Sequence, residues 1–501
     1  MSKFTVKELL GLIKLLRIDV FFLLANILVS LPSIAFNQLV QDKICTNKFS
    51  VNETVCLNLE KSEPGYDFIR NQVLKETTSL KLYLNILTTL PSIFISVILG
   101  HWLDTYPGHL RYLLASSVFS IICQNVFTIY QCFHFQLDSY SLIYTYLVPV
   151  LTGSLTTISL GTYTYATRKT PAEYRALRFT VLEICVFASL PICSIFGGRI
   201  LESKPWFPNQ LRNYIGVYIV SSICGLIAAV WAIIMIYDSA ESVDKNAKSD
   251  EPSSDEVKNE KKKSLAQVVC DLINPNNYLD AARCIFKKKP NNAHWYLFTS
   301  IIAGYVSNMA YVGEQAISYQ FAQRVYHFNA EKIGYYGSFP ILWLALGALS
   351  GPPLFIHWLK FHDSTVSAIS YASMMFNFMI RGIVYDPIVY FLSVIGIFAG
   401  VSLVLDRVII SRMIEPTEVG RVYAVTGIIG GLVPTLSSLF YTKIFQATID
   451  SKPGLVYLCS GLLFSYPVIN SIILSIARNK WDLELIKKRK QTPTDKELDK
   501  S

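Results

Sequence analysis

The chain has 501 residues, of which 52% are hydrophobic and 16% charged, with a formal net charge of +9. Average soluble proteins carry about 25% charged residues, and no soluble core hides apolar runs this long. The composition excludes an ordinary soluble protein and calls for repeated passage through a bilayer.

A helix needs about 20 mostly apolar residues to cross a bilayer. In chain order the predicted spans are Val20–Phe36, Leu82–Leu103, Tyr112–Tyr130, Leu142–Ala166, Phe179–Phe196 and Tyr214–Tyr237. After a polar interruption come Trp295–Tyr311, Ile333–Ile356, Val366–Ile380, Ile388–Leu405, Val422–Ile444 and Leu455–Ile476. Val366–Ile380 is the shortest of them. The layout predicts an all-α membrane protein of 12 transmembrane helices in two six-helix halves. The expected divisions are an N-terminal half (1–237), a cytosolic charged linker (238–292), a C-terminal half (293–477) and a cytosolic basic tail (478–501). The linker holds ten Lys/Arg and ten Asp/Glu. Its balanced charge and shortage of aromatics read as a tether without a core.

The N-terminus reads as a retained helix rather than a cleaved signal, because Lys3, Lys7, Lys14 and Arg17 precede too long an apolar run. Its basic flank and the even number of spans place both termini in the cytosol. Arg168, Lys169, Arg175 and Arg178 agree with that orientation, whereas Arg199, Lys204 and Arg212 oppose it. The outward loop 41–81 carries Cys45, Cys56 and the sequon Asn52-Glu53-Thr54. A glycan on Asn52 and a Cys45–Cys56 disulfide both require the luminal or extracellular side. Closing that short loop stabilises by roughly 3 kcal/mol. Two free thiols and an unused sequon are the other reading.

Span two ends in Gly100-His101-Trp102-Leu103-Asp104, followed by Pro107, Gly108 and Arg111. This resembles the signature loop of the major facilitator superfamily, with Pro107 inserted and only Arg111 left of the usual basic residues. The same stretch is echoed at span eight by His357-Trp358-Leu359, as an internal duplication would leave. The chain is also similar to solute carrier family 46, the proton-coupled folate transporter group. The resemblance rests on Gln38-Leu39 through Cys45, Tyr165 through Arg175, Leu182-Glu183, Ile333-Gly334-Tyr335, Asp406 through Arg412, and Glu418 through Ala424. It implies the major facilitator fold and transport by alternating access. It also implies a cytoplasmic gate at Gly100, Asp104, Arg111, Arg175, Arg178 and Arg421. Where the folate member has an acid near the end of helix four, this chain has Arg168. Where that member has a histidine in helix eight, this chain has Pro340-Ile341. Folate as substrate does not follow, and muropeptide-like anions fit equally well.

A charge inside a span costs about 2.5 kcal/mol or more on insertion scales, which makes each one a functional candidate. The resemblance gives Glu183 a role in proton coupling and Arg407 a role in substrate or proton coupling. The alternatives are a structural partnership of Glu183 with Arg178, and of Arg407 with Asp406 or Glu415. Asp19 and Glu314 stand at span ends and are expected at the interface, with a place in the cavity as the alternative, and Arg381 is expected to reach water. Tyr163, Tyr165, Tyr305, Tyr311 and Tyr319 are candidates to line a cavity, or else are core residues. Prolines within spans, among them Pro91, Pro191, Pro434 and Pro467, are expected to bend them.

No zinc-ligand spacing, P-loop or nucleophile elbow occurs, so no metal, cofactor, ATP site or catalytic centre is expected. Lys261–Lys263 and Lys287–Lys289 fit lipid headgroups rather than nucleic acid. The expected partners are the bilayer, a small organic anion and protons, in the plasma or an endolysosomal membrane. The leading function is secondary active transport of that anion. A transporter-derived receptor that binds without transporting is the alternative.

Overall fold

The computed structural model describes residues 16–60, 65–169, 175–208, 210–236, 293–414 and 419–482. The expectations for the linker, for the basic tail beyond residue 482 and for the first fifteen residues lie outside the described residues. Among the described residues the regular elements are all helical. Bilayer hydrocarbon offers no partner to a free backbone N–H or C=O, so a helix that satisfies its own groups is the form such apolar runs take.

The helices of the first half are α1 (Arg17–Ser30), α2 (Pro32–Lys43), α3 (Glu53–Leu57), α4 (Asp67–Thr105), α5 (Leu110–Phe133), α6 (Leu147–Thr152), α7 (Ser154–Lys169), α8 (Arg175–Glu202) and α9 (Tyr214–Met235). The second half has α10 (Ala293–Tyr326), α11 (Ala330–Pro352), α12 (Asp363–Ile383), α13 (Val389–Leu392), α14 (Ala399–Arg412), α15 (Val419–Thr448), α16 (Leu455–Ile476) and α17 (Arg478–Trp481). The described part of every predicted span is helical, apart from breaks of one or two residues. Seven helical stretches are long and apolar enough to cross a membrane by length and composition alone. The short stretch Val366–Ile380 is the middle of α12, a 21-residue helix capped by His362 Nδ1 accepting from Ser364 N. Pro91, Pro191, Pro434 and Pro467 lie inside α4, α8, α15 and α16.

The described helices form two compact units. The first comprises Met1–Ile273 with Tyr319–Ile341, and the second Asn274–Ser318 with Leu342–Ser501. The end of α10 and the start of α11 therefore belong with the first unit, although they follow the linker in sequence. In the first unit α1 packs against α8 and α9, and α9 packs against α5. Gly225 on α9 makes both contacts close: a Cβ there would stand 2.9 Å from Leu28 of α1 and 3.0 Å from Ile122 of α5. Small residues serve helix packing in lipid because association rests on close van der Waals fit. In the second unit α12 packs against α16 and α14.

Candidate functional site

Glu183 stands on α8 with its carboxylate exposed, and Oε1 accepts a 2.7 Å hydrogen bond from Tyr163 Oη on α7. Tyr163 also packs edge-on against Phe22 of α1, at 6.1 Å between centroids. Tyr165, two residues on, is buried in the apolar core with Leu110, Leu114 and Ile158. Alternate residues of a helix point to different sides, so the two tyrosines do not share a role.

Asp19 is buried inside the protein. It is 4% exposed, and Oδ2 accepts from Arg178 Nη2 at 2.5 Å. One turn of α8 separates Arg178 from Leu182 and Glu183, yet the arginine spans the helix interface to α1. Arg111 lies over the Tyr112 ring at 4.6 Å and donates to its hydroxyl at 2.7 Å. For Gly100, Asp104, Arg175, Arg407 and Arg421 only the helical backbone is described, so their expected roles rest on side chains outside the described residues.

The opposite end of the first unit holds the disulfide. Cys45 and Cys56 are bonded, with Cα atoms 5.9 Å apart. The link closes the loop between α2 and α3, and Asn52 is exposed at its tip, its Oδ1 accepting from Thr54 N and Oγ1 at 3.1 Å. Directly beside it lies a buried network. Arg212 Nε donates to Asp42 Oδ2 at 3.2 Å, Nη1 to Glu202 Oε1 at 2.8 Å, and Nη2 to the Leu57 carbonyl at 2.9 Å. The Tyr214 hydroxyl also donates to Asp42 Oδ2, and Gln38 Nε2 donates to Oδ1 at 2.8 Å. Gln38 Oε1 in turn accepts from Tyr319 Oη at 2.6 Å and Gln323 Nε2 at 3.0 Å, both on α10. Acids on three sides hold the Arg212 guanidinium well above its ordinary value despite burial.

Two of the second unit's polar clusters hold residues singled out in the sequence; a third joins Arg412 to Asp363 at 2.7 Å and to Asp482 at 3.2 Å. Glu314 and Arg381 form an ion pair, with Arg381 4% exposed and its guanidinium 4.8 Å from the Tyr457 ring centre. Arg381 is buried rather than reaching water as expected, because α10 and α12 present it to the half-buried Glu314. The second cluster surrounds Asp406, whose two oxygens lie 2.5 and 2.6 Å from Tyr371 Oη. Ser300, Ser367, Asn470 and Ser471 join them around a cavity of about 10 Å³, room for about one water molecule. Tyr305 packs half-buried against the neighbouring apolar core, and Tyr311 is half-buried on the same helix.

Sequence reasoning passed over Asp42, Glu202 and Tyr371, and took Arg212 only as a charge opposing the expected orientation. The available signal was their position: each flanks or enters an apolar run, where an unpaired charge is costly. Pairing across 170 residues, as between Asp42 and Arg212, leaves no local pattern to find.

The chain matches the Major Facilitator Superfamily over residues 74–438. It is 21% identical over 322 residues to a probable peptidoglycan muropeptide transporter, SLC46, of Drosophila melanogaster, covering 63% of this chain and 57% of that protein. The alignment thus spans little more than half the length of that relative. Among solved structures it resembles a bacterial homolog of the human lysosomal transporter Spinster, with TM-score 0.60, 12% identity, and 94% and 98% of the two chains covered. A structure of proton dependent oligopeptide transporters gives TM-score 0.58 at 12% identity, covering 95% and 99%. These likenesses show the fold. With the matched stretch running through both halves, this multi-pass membrane chain belongs to the major facilitator superfamily, a family of secondary transporters of small molecules rather than enzymes.

Proposed function

We propose that the protein carries a small organic anion across the membrane by alternating access, coupled to protons, with Glu183 as a coupling carboxylate and Arg407 as a substrate or coupling cation. The observation that carries the reading is Glu183 itself. It is an exposed carboxylate at the start of an apolar span, held by a neutral tyrosine hydroxyl at 2.7 Å, while Arg178 is engaged by Asp19. A carboxyl group that faces solvent within an apolar helix is a functional candidate by its cost alone. The muropeptide transporter among its relatives makes a muropeptide-like anion the first substrate to try.

The disulfide end faces the lumen or the cell exterior, since a disulfide persists in an oxidising space, and both termini then lie in the cytosol. Asn52, exposed there, carries a glycan. Enzymatic deglycosylation should lower the apparent mass of the wild type and leave Asn52→Gln unchanged.

The test of transport is uptake of labelled muropeptide, folate and cyclic dinucleotide into proteoliposomes under an imposed pH gradient. Accumulation of one of them driven by the gradient is expected, and Glu183→Gln should flatten its pH dependence. Saturable binding with no uptake at any pH would sink the reading.

A further inference from the structure

The disulfide end of the first unit holds more buried acid than its guanidinium neutralises. Arg212 has three carboxylates around it: Glu202 at 2.8 Å, Asp42 at 3.2 Å and Glu60 at 3.6 Å. Asp42 is 1% exposed, Glu60 8% and Arg212 6%. Full ionisation would leave three negative charges against one positive. Desolvation of ions costs several kcal/mol each unless they are compensated.

The surrounding groups do not redress the balance. Lys43, next to Asp42, reaches Gln131 Oε1 at 3.0 Å, and Arg70 pairs with Asp67. Lys81 donates to Gln320 Oε1 at 3.2 Å. Tyr214 and Tyr319 are neutral donors, and His327 faces the Glu60 carbonyl rather than its carboxylate, at 3.2 Å. Asp42 receives donors on both oxygens and Glu202 receives one. Glu60 is the exception, for its buried Oε2 has no hydrogen-bond partner. Burial pushes the Glu60 carboxyl above the usual carboxylate range in spite of Arg212.

We propose that Asp42, Glu60 and Glu202 around Arg212 form a proton-binding site at the disulfide end, with the proton carried on Glu60. Its loss frees the loop tip Leu57–Glu60, and frees Tyr319 and Gln323 from Gln38. The links are continuous: Arg212 holds the Leu57 carbonyl, and Asp42 orients the same Gln38 amide that receives Tyr319 and Gln323. With the proton bound the cluster carries one excess negative charge, and without it two, which draws in water and loosens the packing. The sign follows from the raised Glu60 value: the sealed arrangement is complete at low pH and is lost as pH rises through the folded-state pKa. Acid on the disulfide side would then seal that end. The link from this closure to transport rests on the proposed proton coupling, whereas the proton site does not.

Infrared difference spectra of the full-length reconstituted protein test it. The wild type should show a carboxylic-acid carbonyl band that disappears as pH rises, and Glu60→Gln should lack it. An identical band in both would overturn the assignment. Gln320→Cys, placed beside Asn37 and Lys81, reports the release through a membrane-impermeant maleimide. Measured relative to a fully exposed cysteine, which cancels the thiol's own ionisation, labelling should rise with pH by up to about tenfold per unit, the limit for one titrating group, and stay low when Glu60→Gln is added. Labelling independent of pH would overturn the release. If the band and labelling behave as expected while uptake of labelled muropeptide ignores the pH gradient, the site stands and the coupling of transport falls.

Discussion

Asp19→Asn separates two accounts of the start of the first span by several kcal/mol. If Asp19 sat at the interface, as its place at the end of an apolar run suggests, its pair with Arg178 would be solvated and worth about 0–1 kcal/mol. In the structure both side chains are 6% exposed and the contact is 2.5 Å. Removing one partner of such a pair leaves the other charge buried without compensation, at roughly 3–5 kcal/mol. Two charges about 4 Å apart at an effective dielectric of about 20 interact by about 4 kcal/mol, the same order. The amide preserves shape and one acceptor, so the lower end, about 3 kcal/mol, is expected. The assay is unfolding of detergent-solubilised protein titrated with SDS and followed by tryptophan fluorescence. Arg178→Leu and the double variant complete a cycle that subtracts the arginine's other contacts. A cost of 1 kcal/mol or less for Asp19→Asn, with no coupling in the cycle, would refute the buried pair.

Three further outcomes follow from the same geometry. Cys45→Ser should cost about 3 kcal/mol through loss of loop closure, seen as faster proteolysis of the loop that carries Asn52. Arg381→Leu leaves the half-buried Glu314 without its cation and should cost roughly 1–3 kcal/mol, between an exposed and a buried pair, read in the same SDS titration. Its added neutralisation by Glu314→Gln should recover part of the loss. His327 is held below its ordinary value by burial first and then by Arg70. Its contribution to stability is present above the unfolded pKa of about 6.5 and lost as pH falls through the folded value. His327→Gln should reduce the acid-side fall in thermal midpoint, and an unchanged fall would remove His327 as its cause.

The two pH effects at the disulfide end have opposite signs. Glu60 favours the sealed state on the acid side, while His327 opposes it there. Measuring Glu60→Gln and His327→Gln separately assigns each limb to its own group.

The spans were legible because lipid makes a demand each residue meets alone: an apolar side chain and a backbone that satisfies itself within its own segment. Twenty such residues in a row announce a helix without reference to any other part of the chain. Cys45 and Cys56 were legible for a similar reason, being 11 residues apart in a loop with few other ways to be closed. Partnerships between charges were not. Asp19 finds Arg178 because α1 packs on α8, and Arg381 finds Glu314 because α12 faces α10. Glu183, whose neighbour in sequence is an arginine one turn away, is instead bonded by a tyrosine on α7. Arg212, read along the chain, was a misplaced positive charge, whereas in the fold three carboxylates enclose it. Apolar burial depends on residue type, so the sequence by itself determined the helices and the membrane. A charge is stabilised only by the group set against it, and that choice belonged to the tertiary structure.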